Sequence, residues 1–181
     1  MLTMSSDLRY YKLNPEVKDP YRATSGSACF DLYSFLPDES EVTVYRNDFE
    51  ETEKVTRVVK LKRVPINPKE RILIPTGLIL DIPKGYSVRL YPRSSLALKQ
   101  GLTLANNVGI IDSDYVEPVF VMVFNMSGYV KYINHEERIC QAELFKDQPH
   151  VLERFLNDQN AKQSVMVGLV QQGKNESFKC R

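Results

Sequence analysis

The chain has 181 residues, 43% of them apolar, enough to bury one sizeable core and tight for two. Its 24 Lys and Arg against 23 Asp and Glu leave a formal charge of +1, which excludes a global field for nucleic acid or an acidic membrane and makes any phosphate binding local. The longest plain apolar run, Val119 to Phe124, is far shorter than the roughly 18 residues of a membrane span.

Met1 to Asn14 mixes Ser, Asp, Arg, Tyr and Lys with no apolar stretch like a secretory signal. Cys29, Cys140 and Cys180 are odd in number and lack the paired spacing of a zinc site or a disulfide framework. These features lead us to expect a reduced, intracellular, cytoplasmic setting, which for a viral chain would be the host cytoplasm, with thiols that are small core or surface groups.

In chain order, Ser25 to Ser34 comes first, with Asp31 embedded in an otherwise apolar, strand-like sequence. A carboxylate buried there needs a partner, either an arginine or a hydrated metal. Over residues 38–64, Glu41 to Tyr45 and Val55 to Leu61 alternate like strands around a charged connection. This spacing predicts an inserted, projecting, solvated β-hairpin, either a decoration or an oligomer contact. Strand-length runs follow at Arg71–Pro75, Leu78–Ile82 and Ser87–Tyr91, with Pro75-Thr76-Gly77 and Pro83-Lys84-Gly85 able to reverse the chain between them. Ser94 to Lys99 starts with possible caps and continues with helix formers, which predicts a short helix. Val119–Phe124 and Arg138–Phe145 are further strands. From Asn157 the chain turns polar; Ser164 to Val170 can still form a strand, and 173–181 is expected to be a mobile tail. Short strands with turn punctuation every eight to twelve residues or so predict one all-β domain over 1–181, a sandwich or barrel.

Three segments suggest chemistry. Arg93-Ser94-Ser95 sets a fixed cation and two hydroxyls at a helix start, where free N–H groups can receive a phosphate, although two serines there also read as plain caps. Asn106 to Tyr115 is the densest polar cluster; Asp112 and Asp114 would share one face of a regular strand, but the Asn, Gly and Ser around them favour a turn. The third is Asp31 itself.

In combination and order these segments, across residues 22–146, resemble the trimeric dUTP diphosphatase family. Gly26-Ser-Ala-Cys-Phe-Asp-Leu-Tyr-Ser34 is similar to its first motif, Pro92-Arg-Ser-Ser-Leu-Ala97 to its second, Asn106 through Tyr115 to its third and Glu137-Arg-Ile-Cys-Gln141 to its fourth. The resemblance implies a distorted jelly-roll subunit, a homotrimer with shared active sites, and cleavage of dUTP to dUMP and pyrophosphate with Mg²⁺, which removes dUTP and supplies dUMP for thymidylate synthesis. It implies Asp112 as the general base that activates water, and Asp31 as a Mg²⁺ ligand through water. Arg93, Ser94, Ser95 and Gln141 would contact phosphate, and Asn106 with the backbone of Gly109, Ile110 and Ile111 would read uracil. Tyr115 would pack on the deoxyribose; without the resemblance it reads as a core or turn aromatic. Arg138, carried by the fourth motif, suits an internal salt bridge as well as a ligand contact.

The chain departs from the family in three places. Residues 172–181 do not match the glycine-rich fifth motif that carries Arg and Phe, Ser95 stands where glycine is usual, and the 38–64 insertion has no counterpart. Two other functions compete. A dCTP deaminase of similar fold would need a glutamate near Met122, and methionine cannot transfer the proton. A non-catalytic nucleotide-sensing regulatory protein would bind a partner through the hairpin and the altered tail.

Overall fold

The computed structural model describes residues 7–48, 51–148 and 150. By contact, residues 1–148 form one compact unit and 149–181 a second. The strand expected at Ser164–Val170 and the tail over 173–181 lie outside the described residues.

The elements run β1 (Arg9–Lys12), β2 (Phe30–Tyr33), β3 (Glu41–Asp48), β4 (Glu51–Val58), β5 (Arg63–Ile66), β6 (Arg71–Pro75), β7 (Leu78–Asp81), β8 (Tyr86–Pro92), α1 (Ser94–Gln100), β9 (Leu102–Leu104), β10 (Gly109–Ile111), β11 (Phe120–Asn125), β12 (Lys131–Asn134) and β13 (Arg138–Lys146). A four-stranded sheet orders them β10-β8-β13-β2 and a five-stranded sheet β4-β3-β6-β11-β9, with β1-β7 and β12-β5 as two-stranded pairs. Alternation explains the core. Ile72 and Ile74 on β6, Val88 and Leu90 on β8, Val121 and Val123 on β11, and Cys140 and Ala142 on β13 are all buried, while the residues between the two members of each pair are more exposed.

The turn between β6 and β7 depends on Gly77. Its φ of +72° suits glycine, and a Cβ there would lie 2.5 Å from Val17 Cγ2. Beside it the Thr76 hydroxyl donates to the Val119 carbonyl at 2.8 Å, tying the turn to the loop that leads into β11.

Two expectations need revision. The 38–64 segment does form a hairpin, with β3 and β4 in unbroken register from Glu41↔Val58 to Asp48↔Glu51. Its base, however, does not project: Thr43, Val44 and Tyr45 pair with Leu73, Ile72 and Arg71 of β6, and Val42 and Val44 belong to the core. The second strand ends at Val58 rather than Leu61, because Leu61 and Lys62 take positive φ values of 55° and 53° that break the extended chain. Residues 94–100 do form the helix, but neither serine caps it: Arg93 is the N-cap and makes no side-chain cap bond.

A buried ion pair anchors the hairpin. Arg57 of β4 donates to both Glu70 oxygens at 2.8 Å and to the Pro65 carbonyl at 2.6 Å. Glu70 is only 3% exposed. Burial pushes its carboxyl up, but hydrogen bonds from Arg57 and from the Asn67 amide groups outweigh that and hold it below the usual carboxylate value. Glu70→Gln should therefore cost about 3 kcal/mol at neutral pH, since it leaves Arg57 half-buried without its charge partner. A carboxylate with a depressed folded-state pKa stabilises above its unfolded pKa and loses that contribution as pH falls through the folded value. The stability gap between wild type and variant, read by urea denaturation, should thus be full above about pH 5 and close on further acidification.

Candidate active site

On the β10-β8-β13-β2 sheet, Asp31, Gln141 and Tyr91 stand side by side on three adjacent strands. Asp31 is 6% exposed, and both its oxygens are engaged. Arg93 Nε donates to Oδ1 at 3.1 Å and Arg138 Nη1 to Oδ2 at 3.2 Å. Arginine, one of the two partners left open by the sequence, is present twice. Arg93 Nη1 also donates to the Arg138 carbonyl at 3.2 Å. Under this face Cys140 is wholly buried; burial pushes its thiol far up, so it is an inert core group. Ser94 and Ser95 are exposed on the first turn of α1, where backbone N–H groups have no intrahelical partner. The hydroxyls of both serines and the Gln141 amide make no hydrogen bond among the described residues.

A second feature lies at the other edge of the sheet. Asn106, Gly109, Ile110, Ile111 and Tyr115 line a cleft of about 310 Å³ floored by Leu90, Leu104 and Val121 and walled by Phe120 and Met122. Gly109 allows a close approach: a Cβ there would sit 3.2 Å from Leu90 Cβ and 3.4 Å from the Asn106 amide nitrogen, crowding the floor of the cleft. Tyr115 closes a turn, its N–H donating to the Asp112 carbonyl at 3.1 Å and its hydroxyl to the Pro118 carbonyl at 3.1 Å. Asp112 follows β10 directly. It and Asp114 are both exposed in that turn, and neither carboxylate makes a hydrogen bond or ion pair among the described residues. The two lie in a turn, as the Asn, Gly and Ser around them predict, and not on one face of a regular strand.

The structure thus brings the candidate residues together as two groups, one around Asp31, Arg93 and Gln141 and one around the cleft with Asp112 beside it. It does not join the groups. Asp112 extends the strand whose Ile111 pairs with Val88, whereas Asp31 sits level with Tyr91, on the opposite edge strand. Three strand spacings and about four residues along the sheet put them on the order of 20 Å apart within one chain.

Phe120 escaped the sequence reading. The run Val119–Phe124 announces a strand but not which alternate residues face a cleft, and only the pairing of β11 with β6 and β9 places Phe120 and Met122 on the open side. For a metal, no group of three or more His, Cys, Asp or Glu side chains among the described residues can hold an ion. The buried carboxylate of this site, Asp31, suits at most a hard cation that brings its own waters and other oxygen ligands.

The family model described as dUTPase matches residues 58–165. A deoxyuridine 5'-triphosphate nucleotidohydrolase of Wolbachia pipientis subsp. Culex pipiens is 34% identical over 146 residues, covering 81% of this chain and 79% of that protein. The enzyme of the same name from Finegoldia magna is 46% identical over 83 residues, 46% of this chain; the match spans only a little over half, 58%, of that relative's length. Among solved structures, a dUTPase from Streptococcus mutans superposes with a TM-score of 0.59 at 24% identity, covering 79% of this chain and 98% of that one. At that identity the superposition speaks for the fold, a β-rich, jelly-roll-like subunit.

Proposed function

The chain belongs to the dUTPase family, and from that premise we propose that it hydrolyses dUTP to dUMP and pyrophosphate. The observation that carries the reading is the cleft: an apolar slot for a pyrimidine and a sugar, the amide of Asn106, and the carboxylate of Asp112 at the end of the strand that lines it, neither side chain hydrogen-bonded among the described residues. Asn106 offers both a donor and an acceptor to the uracil edge. The apolar floor excludes water and makes each of those bonds count. Tyr115 packs against the sugar, leaving little room for a ribose 2′-hydroxyl. Asp112, exposed and without a hydrogen bond or ion pair among the described residues, accepts the proton of the attacking water.

Phosphate chemistry needs cations, and Arg93, its side chain held on Asp31, lies at the end of β8 on the order of 20 Å along the sheet from Asp112. A triphosphate whose base sits in the cleft therefore meets the Arg93, Ser94, Ser95 and Gln141 of a neighbouring copy, which is our reason for proposing a homotrimer with shared sites. Mg²⁺ arriving on the triphosphate would be held by phosphate oxygens and waters, with Asp31 accepting hydrogen bonds from those waters, and would neutralise the charge on the departing pyrophosphate. Among the described residues no helix is long and apolar enough to cross a membrane, and we place the activity in the cytoplasm, or in that of the host for a viral chain.

The test is a nucleotide panel with pyrophosphate release as the readout. We expect dUTP to be cleaved in the presence of Mg²⁺ and dTTP, dCTP and UTP to be cleaved far more slowly. Formation of dUTP from dCTP would instead support a deaminase, against which Met122 already stands, since it lines the cleft without a group able to carry a proton. Tight dUTP binding with no turnover would support a sensor.

A further inference from the structure

Arg138 faces the phosphate side of its sheet because of a fault in β13. Along this strand Cys140 and Ala142 point into the core, and two residues before Cys140 a regular strand would point inward again. The register shifts there: Arg138 pairs with Tyr33 and Cys140 with Leu32, so two steps on β13 match one step on β2. One extra residue reverses the alternation. Ile139 takes the buried place, at 1% exposure, and Arg138 emerges on the face of Asp31.

What Arg138 does there follows from the three contacts around Asp31. It occupies Oδ2, leaving Oδ1 for Arg93. Its own carbonyl accepts from Arg93 Nη1. A guanidinium facing a free carboxylate favours the two-bond, fork-to-fork pair; here Arg93 has one bond to Asp31 and one to a carbonyl. Its remaining terminal nitrogen, Nη2, has no partner among the described residues.

We propose that Arg138 is a positioning residue of the polyphosphate site. By filling one oxygen of Asp31 and lending its carbonyl, it keeps Arg93 from closing a two-bond pair with Asp31 and leaves Nη2 free for an incoming phosphate. This rests on the dUTPase reading and names the residue that acts through Arg93.

Calorimetric titration with the non-cleavable α,β-imido-dUTP and with dUMP tests it, on wild type, Arg138→Ala, Arg138→Lys, Arg93→Ala and the double variant Arg93→Ala/Arg138→Ala. Arg138→Ala should weaken the imido nucleotide about 10-fold and dUMP less, and Arg138→Lys should bring affinity back to within about 3-fold. In the Arg93→Ala background, loss of Arg138 should cost less than about 2-fold, because the residue through which it acts is gone. An equal loss with and without Arg93, or no loss beside an intact Arg93, would overturn the proposal. If Arg138→Ala does not fold, Arg138→Gln, which keeps a donor for Oδ2 without the charge, carries the same comparison. A wild-type protein that fails to bind the imido nucleotide at all would instead contradict the dUTPase reading.

Discussion

Asp112→Asn should lower kcat for dUTP by about 10³-fold while leaving the affinity for α,β-imido-dUTP within about 3-fold. The substitution keeps size and shape and removes only basicity. That separation is clean at this position because Asp112 is exposed and has no hydrogen bond or ion pair among the described residues, so its loss disturbs no internal network. The main-chain turn it helps to form, from the Tyr115 N–H to the Asp112 carbonyl, is untouched by the change. Asp114→Asn, two residues on and equally exposed, serves as the control and should keep kcat within about 3-fold. Steady-state kinetics on the two variants would show which carboxylate is the base. Full turnover by Asp112→Asn would remove it from that role.

The second large effect is a recovery rather than a loss. Asp112→Asn alone and Arg93→Ala alone should each be nearly inactive, yet a mixture refolded together should regain activity. Arg93 follows β8 one strand over from β10 but about six residues further along the sheet, on the order of 20 Å from Asp112, so a site that uses both draws them from different copies. In a mixed oligomer some sites then pair an intact Asp112 from the Arg93→Ala chain with an intact Arg93 from the Asp112→Asn chain. Random assembly at equal amounts makes roughly a quarter of the sites whole. Pyrophosphate release from the co-refolded mixture, compared with the two variants simply added together, is the measurement. No gain on co-refolding would mean that each chain uses its own two groups.

Much of this could be read in the sequence where alternation was strong. Ile72 and Ile74, Val88 and Leu90, and Cys140 and Ala142 each declared a strand with one buried face, and those strands carry the two large sheets. The short elements were not legible, since β9 and β10 have three residues each and show no period. The candidate residues were recognisable by type, but their grouping was not. Nothing in the order of Asp31, Arg93, Asn106, Asp112 and Gln141 says that β2 and β10 lie at opposite edges, because strand order is decided by long-range pairing. Ser94 and Ser95 looked like caps; the chain enters the helix through Arg93, whose side chain is drawn away to Asp31. Arg138 was open between salt bridge and ligand contact, and the one-residue bulge that decides its direction has no signature in the letters Arg-Ile-Cys. Arg57 and Glu70 lie 13 residues apart, and only the docking of β3 on β6 explains why they meet.

The central claim is that one nucleotide bridges two copies of the chain, with the base in the cleft of one and the phosphates at the arginine of the other. A crystal structure with α,β-imido-dUTP and Mg²⁺ tests it directly. We predict Asp112 of one protomer beside the innermost phosphorus and Arg93 and Gln141 of its neighbour on the phosphate oxygens of the same molecule; a nucleotide bound wholly within one protomer, or Asp112 turned away from that phosphorus in every copy, would contradict it.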